Sequence, residues 1–213
     1  MGQKVNPTGF RIGVNKNHLS TWYSDSKNYA KQLTEDIKVR AFIEKKIGNS
    51  GVAEVKISRN LSNVLIEIIV ARPGVVIGRG GKGIEDLKKA LDKILGLKTD
   101  LKVLEAKNAA SNAQIIAHNV AEQIGRRVAP RIAMSREIEN VKTVRGIKGV
   151  RIAVSGRIKG QEIARTEKVT FGAIPLQTLR ADIDYALVHA QVPNAGTQGI
   201  RVWVYKGEKR DRD

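Results

Sequence analysis

Hydrophobic residues recur every three or four positions between Ser26 and about Lys46, a period that predicts an amphipathic helix. The expected buried positions of this helix are Tyr29, Leu33, Ile37, Ala41, Ile43 and Ile47. Residues 52–58 alternate apolar and polar side chains, and residues 63–71 are nearly all apolar, so both segments are predicted strands. The intervening residues 59–62 fit a hairpin turn, which would make the two strands antiparallel neighbours.

A second helix and a third strand are predicted after a break at Pro73-Gly74 and a glycine turn. Apolar residues with helical spacing occupy residues 84–95, and Gly96 ends the run. Residues 101–106 then alternate like a strand. The pattern over residues 19–108 therefore indicates one α+β domain.

The second half of the chain has its own succession of periods. A capping box at residues 111–114 opens a predicted helix, and a second helix follows Pro130. Residues 175–179 fit a short helical turn. Strands are predicted around residues 150–155, 161–171, 183–192 and 200–206. We interpret residues 109–207 as a second α+β domain with two helices packed on a mostly antiparallel sheet. Residues 208–213 form a charged tail.

Charge is the feature of the composition that narrows the function. The chain of 213 residues has 38 Lys and Arg against 21 acidic residues, a formal net charge of +17. A strongly basic surface usually serves a polyanion, most often nucleic acid. Aromatic residues make up only 4%, so we expect contacts to backbone and shape rather than base stacking.

Several classes of protein are disfavoured by the same composition. The absence of cysteine excludes disulfides, a thiol nucleophile and a cysteine-based zinc site. No run approaches the roughly 18 apolar residues of a membrane span. The start of the chain lacks the apolar segment of a signal peptide, so we expect a cytoplasmic protein without a membrane partner.

The glycine turn that precedes the helix of residues 84–95 fits two unrelated motifs. Gly78, Gly80 and Gly83 satisfy the dinucleotide pattern G-x-G-x-x-G, and Glu105 stands where a Rossmann fold keeps its ribose-binding acid. However, the three residues 75–77 are too few for a central parallel strand, and the preceding strand pairs more naturally in a hairpin. Dinucleotide binding is therefore disfavoured.

The other motif is the GXXG loop of a KH domain, which clamps nucleic-acid backbone. Glycines let phosphates approach the main chain, a helix start offers free N–H donors, and two basic side chains add charge. Ile77 and Ile84 would form an apolar floor for bases. The order of elements matches a type II KH domain. The candidate RNA-binding residues of this loop are Gly78, Arg79, Gly80, Gly81 and Lys82.

Basic residues are concentrated in the second domain and at the start of the chain. Residues 126–168 form a predicted phosphate-binding face with twelve basic side chains against four acidic ones: Arg126, Arg127, Arg131, Arg136, Lys142, Arg145, Lys148, Arg151, Arg157, Lys159, Arg165 and Lys168. Residues 1–18 lack apolar periodicity and are expected to form an extended arm. The candidate RNA contacts of the arm are Lys4, Arg11 and Lys16.

Three further stretches make the assignment more specific. The start MGQKVNPTGFRIG, residues 71–78, and a third stretch made of residues 155–157, 162–167 and 175–185 together resemble the bacterial family of ribosomal protein S3 of the small subunit. The resemblance covers essentially the whole chain, and PLQTLRADIDY at residues 175–185 is its most specific part.

The resemblance implies a structural protein in the head of the small ribosomal subunit. The second domain and the arm would contact small-subunit rRNA and neighbouring head proteins, and the KH domain would lie beside the mRNA entry channel. The family's basic helix that faces incoming mRNA maps to residues 126–136. Arg131 fits that helix, but Ile132 and Ser135 replace expected basic residues, which argues against strong mRNA unwinding. We expect no homo-oligomer. The alternative is a free KH-domain regulator of RNA.

Catalysis is not expected. His18, His118 and His189 are scattered over three predicted elements. Asp182 and Asp184 could bind Mg²⁺, but we expect them to pair with arginine or cap a turn. No catalytic residue, cofactor or metal site is therefore predicted.

Overall fold

The computed structural model describes residues 4–60, 63–106, 108–193 and 195–209, without the side chains of Asn49 and Arg79. The chain divides into two compact units. One unit is residues 18–109. The other joins residues 1–17 to residues 110–213.

The described ranges contain six α-helices and eight strands, joined by loops and short 3₁₀ turns. The helices are α1 (Pro7–Arg11), α2 (Ser26–Ile47), α3 (Pro73–Ile77), α4 (Lys82–Leu95), α5 (Ala113–Gly125) and α6 (Pro130–Lys142). The strands are β1 (Ser20–Thr21), β2 (Val52–Arg59), β3 (Asn63–Val70), β4 (Lys98–Glu105), β5 (Gly149–Gly156), β6 (Arg165–Gly172), β7 (Ala181–Val192) and β8 (Gly196–Glu208).

The unit of residues 18–109 is built on a four-stranded sheet in the order β1-β2-β3-β4. β2 and β3 are antiparallel neighbours, and β4 runs parallel to β3. The alternation predicted for the strands is confirmed, because Val64, Ile66 and Ile68 are fully buried. Leu87 and Leu91 of α4 complete this core, as their spacing predicted. Leu61 and Ser62 of the predicted hairpin turn lie outside the described residues.

The predicted buried face of α2 is wrong from Tyr29 to Ala41 and correct at Ile43 and Ile47. Val39 and Ile43 pack in the core, whereas Leu33 is exposed and Ile37 is 60% exposed. Val39 lies two positions after Ile37, about 200° around the helix axis. Both rows of residues are spaced by four along the sequence, so periodicity alone does not distinguish the buried row from the exposed one.

The unit that contains the second half of the chain has helices on one face of an antiparallel sheet, in the strand order β6-β5-β8-β7. Ile116 and Val120 of α5 and Met134 of α6 pack on Val150 and Ile152 of β5. This arrangement confirms the α+β fold with two helices on a mostly antiparallel sheet.

Local details of this unit differ from the sequence prediction. The side chain of Asn112, not a Ser111 capping box, accepts hydrogen bonds from the backbone N–H groups of Gln114 and Ile115, at 2.9 and 3.3 Å. Residues 175–179 form turns rather than a helix. The last four residues of the predicted tail, 210–213, lie outside the described residues.

The N-terminal segment is not an extended arm. Residues 7–11 form the short helix α1, because Asn6 Oδ1 accepts from the N–H groups of Thr8 (2.9 Å) and Gly9 (3.3 Å). Proline suits the first helical position, where no N–H is needed. The segment packs on residues 110–213 of its own unit through Arg11, which is fully buried.

Candidate nucleic-acid interface

The glycine turn joins two helices rather than a strand to a helix. α3 ends at Ile77, residues 79–81 form a short 3₁₀ turn, and α4 begins at Lys82. Gly80 and Gly81 have φ angles of 65° and 79°, a region that side chains disfavour. A Cβ atom at either position would meet nothing within 4 Å. The backbone of the turn is therefore open to an approaching ligand.

Gly83 has a different role from the open glycines. A Cβ atom there would lie 2.5 Å from the carbonyl oxygen of Val76 and 3.0 Å from that of Ile77. Glycine thus allows the first turn of α4 to pack directly on the end of α3. This close contact fixes the geometry of the turn between the two helices.

Donors and positive charge are present at the turn. Gly81 caps α4 without a side-chain hydrogen bond, so the first N–H groups of the helix remain available to an anion. Lys82 is exposed at the same helix start. The side chain of Arg79 lies outside the described part of the structure.

A cleft of about 550 Å³ lies in the same unit and begins at Ile84, one turn into α4. It is lined by Asn60, Asn63, Leu65, Ile84, Lys88, Asp100, Leu101 and Lys102. Its walls offer amides and two lysines around an apolar floor, although Lys88 is paired with Asp100 at 3.5 Å. Of the two residues predicted to form the floor, Ile84 lines the cleft and Ile77 does not.

The dinucleotide alternative is incompatible with this geometry. The segment that leads into the glycines is helical, and β3 pairs with β2 in an antiparallel hairpin. A Rossmann fold needs a parallel strand that leads directly into the glycine turn.

The twelve basic residues of 126–168 do not form one face. Those of the α5–α6 region lie on the helical side of the second sheet. Arg151 alternates with Val150 and Ile152, whose side chains contact the helices, so it lies on the opposite face. Lys168 is opposite Ala153 and shares that face with Arg151. The predicted single phosphate-binding face is therefore wrong as one continuous surface.

Partners within the protein engage part of this charge. Arg126 is ion-paired with Glu122, and Lys142 lies 4.8 Å from the centre of the Phe171 ring. Arg157 donates to the carbonyl oxygen of Gln161 at 3.1 Å. These contacts are at the surface. They order the side chains without removing them from solvent.

Helix α6 presents Arg131 and Arg136 as exposed residues, with Ile132 exposed between them. The opposite side of α6 is fixed by Glu137, a buried carboxylate that accepts from Gln123 Nε2 at 3.0 Å. Burial raises the pKa of Glu137, and the hydrogen bonds from neighbouring amides oppose that rise. The exposed side of α6 therefore has a fixed orientation, and its described cations are Arg131, Arg136 and, at the last position of the helix, Lys142.

Two of the three arm residues are not available as predicted. Arg11 is buried and donates to four carbonyl oxygens, so it stabilises the fold instead of contacting RNA. Lys16 is paired with Asp182 at 3.2 Å and is within 4.0 Å of Asp184. Lys4 remains exposed.

The two aspartates predicted to pair with arginine or to cap a turn pair with lysine, and Asp184 also contacts the start of a helix. Asp182 binds Lys16, and Asp184 also contacts Lys206 at 3.6 Å. Asp184 additionally accepts from the N–H of Ala113 at 3.1 Å, at the start of α5. Within the described residues, no group of three or more histidine or acidic side chains is placed to hold a metal ion.

The face of the second sheet opposite the helices contains residues that the sequence analysis did not single out, and Trp203 packs there in a small cluster with Ala181, Ile183 and Tyr205. Trp203 and Arg201 alternate with buried positions of β8, and Trp203 lies 5.5 Å from the ring of Tyr185. The alternation of β8 was visible in the sequence. It indicated two faces but not which face the helices cover.

The fold and the glycine turn define a class of protein. A GXXG turn between two helices, on a sheet of this topology, is a KH domain, a module that binds single-stranded nucleic acid. A sequence profile of the KH domain matches residues 38–111, and the profile "Ribosomal protein S3, C-terminal domain" matches residues 120–204.

Relatives extend the match over almost the whole chain. The small ribosomal subunit protein uS3 of Synechocystis sp. is 45% identical over 98% of this chain and 87% of its own length. The proteins of the same name from Clostridium botulinum and Clostridium perfringens are each 47% identical over 98% of this chain and 93% of theirs. The chain belongs to the uS3 family, a family of small-subunit ribosomal proteins and not of enzymes.

In the described ranges, no helix combines the length and the apolar character that crossing a bilayer requires.

Proposed function

We propose that this protein is a structural constituent of the small ribosomal subunit that binds small-subunit rRNA and helps form the mRNA entry channel. The observation that carries the proposal is the match to uS3 proteins over 98% of the chain. In the proposed arrangement, the second domain holds rRNA and neighbouring head proteins, and the KH unit faces mRNA.

The charges support this division of roles. Residues 126–168 have twelve basic and four acidic residues, a net charge of +8 out of +17, so this segment of the second domain has the densest attraction to phosphates. The glycine turn has an open backbone and few charges. These features suit transient contact with a moving mRNA rather than permanent attachment to rRNA. Ile132 and Ser135 stand on α6 where the family has basic residues, so the first turns of this helix offer only Arg131 and Arg136 to mRNA and contribute weakly to unwinding it.

Co-sedimentation tests the proposal against a free KH-domain regulator. We expect the protein to migrate with small-subunit particles in sucrose gradients at moderate salt and to be released steeply as salt increases, because each neutralised phosphate releases counterions. A protein found mainly outside particles at low salt would contradict the ribosomal role. A release that hardly depends on salt would contradict phosphate anchoring.

The role of the glycine turn is tested by the double variant Arg79→Glu/Lys82→Glu. We expect the variant protein to enter small subunits normally. Those subunits should bind mRNA fragments about five- to tenfold more weakly, because two cations beside the mRNA become anions. Filter binding with purified subunits measures this effect.

The matched control is Lys31→Glu/Lys38→Glu, which makes the same charge change at exposed positions of α2. The control should bind mRNA like the native protein. Failure of the glycine-turn variant to assemble would instead identify the turn as an rRNA contact.

A further inference from the structure

A second cavity lies in the unit that contains α5 and α6, far along the sequence from the glycine turn. It has a volume of about 390 Å³ and is formed by the end of α5, the turn before α6, the 3₁₀ turn at Ile158–Gly160 and the connection between β7 and β8. Its size falls within the range of about 300–1,000 Å³ that is typical of small-molecule sites. Arg127 and Lys159 line it.

These two basic residues share an unusual backbone conformation. Arg127 has φ 65° and Lys159 has φ 57°, and they are the two non-glycine residues with positive φ in the described ranges. Such conformations are unfavourable for residues with a Cβ atom and are often found at functional sites. Both lie at the same cavity.

The conformation of Arg127 follows from how α5 ends. The N–H of Arg127 donates to the carbonyl oxygen of Ile124 at 2.9 Å, and the N–H of Val128 donates to that of Gln123 at 3.1 Å. This is a Schellman motif, and glycine is the residue usually found at the position of Arg127. The fold therefore requires the left-handed turn, but it does not require a cation there.

The charges of the cavity are uncompensated. Arg127 and Lys159 are exposed, and neither side chain has an ion pair or hydrogen bond within the part of the chain that the structure describes. No carboxylate is among the residues that line the cavity. Two cations without a counterion favour an anionic ligand.

The remaining walls fit more than a bare anion. Val128, Pro130 and Val192 supply apolar surface. Gln198 also lines the cavity and is only 2% exposed; its Nε2 donates to the carbonyl oxygen of Arg157 at 3.1 Å, and its buried Oε1 has no hydrogen-bond partner among the described residues. A nucleotide combines the anionic, apolar and hydrogen-bonding groups that such walls can accept.

We propose that this cavity binds one unpaired nucleotide of an RNA strand. Arg127 and Lys159 hold the phosphate, the base lies against the apolar wall, and the amide of Gln198 supplies the polar contact. The proposal rests on the rRNA-binding function proposed above. It assigns that function a defined site outside the KH domain.

Glycine substitutions separate a binding role from a role in the turn. Arg127→Gly and Lys159→Gly remove the charge but suit the left-handed backbone, so the melting temperature should be unchanged or raised by about 2 °C. Each variant of the full chain should bind transcribed small-subunit rRNA about five- to tenfold more weakly than the native protein. The slope of log affinity against log salt should decrease by about 0.7–0.9 for each charge removed.

Two controls accompany these variants. Lys159→Arg retains the charge and should bind rRNA more tightly than Lys159→Gly, with the salt slope that Lys159→Gly loses restored. Lys31→Ala removes one exposed charge from α2 and should leave rRNA affinity within about twofold. If the glycine variants bind like Lys31→Ala with an unchanged salt slope, the nucleotide site is wrong and the rRNA-binding function still stands. If the native protein does not bind the rRNA, both proposals fail.

Discussion

Replacing Arg11 with alanine should lower the free energy of unfolding of its unit, residues 1–17 with 110–213, by about 3–4 kcal/mol. The same change should detach the N-terminal segment from the rest of that unit. Its guanidinium donates to the carbonyl oxygens of Ala181 (2.8 Å), Pro7 (3.0 Å), Leu176 (3.0 Å) and Thr178 (2.8 Å). Alanine would leave these acceptors without their donor and open a void at a fully buried position. Hydrogen exchange with mass spectrometry should show lost protection in residues 174–185, and trypsin should cleave faster after Lys16.

The planar guanidinium group of Arg11, more than its charge, makes its role specific to arginine. Burial lowers the pKa of this guanidinium, and the nearby charge of Asp182 opposes that shift. A lysine has no planar fork that could reach all four carbonyl oxygens, so Arg11→Lys should recover only part of the stability. Lys4→Ala, an exposed change in the same segment, is the control. Equal protection and equal cleavage in Arg11→Ala and Lys4→Ala would show that the segment is held by other contacts.

Arg11 also shows where sequence reasoning fails. A basic residue in a segment with little apolar periodicity was predicted to contact RNA, because composition reports charge and not burial. Its main partners lie about 165–170 positions away along the chain. No local pattern contains that information.

Elements whose signal is local were predicted well. Val64, Ile66 and Ile68 identify a buried strand, and Leu87 and Leu91 identify the inner face of α4, because each alternation or helical repeat directly reflects burial. Helix α3 was missed since Pro73-Gly74 was interpreted only as a strand break. Proline at the first helical position was the signal that could have revealed it.

The candidate interface was only partly predictable for a similar reason. The glycine turn has a local motif, and its position at a helix start is confirmed. The division of the basic residues between two faces depends on which side of the second sheet the helices cover. The left-handed backbones of Arg127 and Lys159 carry no sequence signal, because the usual glycine is absent from both positions.

Replacing Asp36 with alanine should destabilise the KH unit by about 3–5 kcal/mol, the usual cost of removing one partner from a buried ion pair. Asp36 is a buried residue of α2 that accepts from Arg59 Nε at 3.0 Å, from Trp22 Nε1 at 2.8 Å and from Ser20 Oγ at 3.2 Å. Without it, Arg59 keeps Glu35 at 2.8 Å, and the indole N–H has no acceptor. Urea unfolding of the full chain, followed by hydrogen exchange in α2 and β2, measures the loss.

The electrostatic origin of this effect can be separated from packing. Burial alone would lower the pKa of Arg59, but hydrogen bonds and charges from Glu35 and Asp36 raise it overall, so the fold favours the charged form of Arg59. The double variant Asp36→Ala/Arg59→Met should therefore be less destabilised than the sum of its single variants, because the Asp36–Arg59 pairing is lost in each single variant but only once in the double variant. Asp25→Ala, at the exposed start of α2 where the aspartate forms no cap hydrogen bond, should cost less than about 1 kcal/mol. Additive losses in the double variant would mean that Asp36 and Arg59 stabilise the KH unit independently, through packing rather than through their pairing.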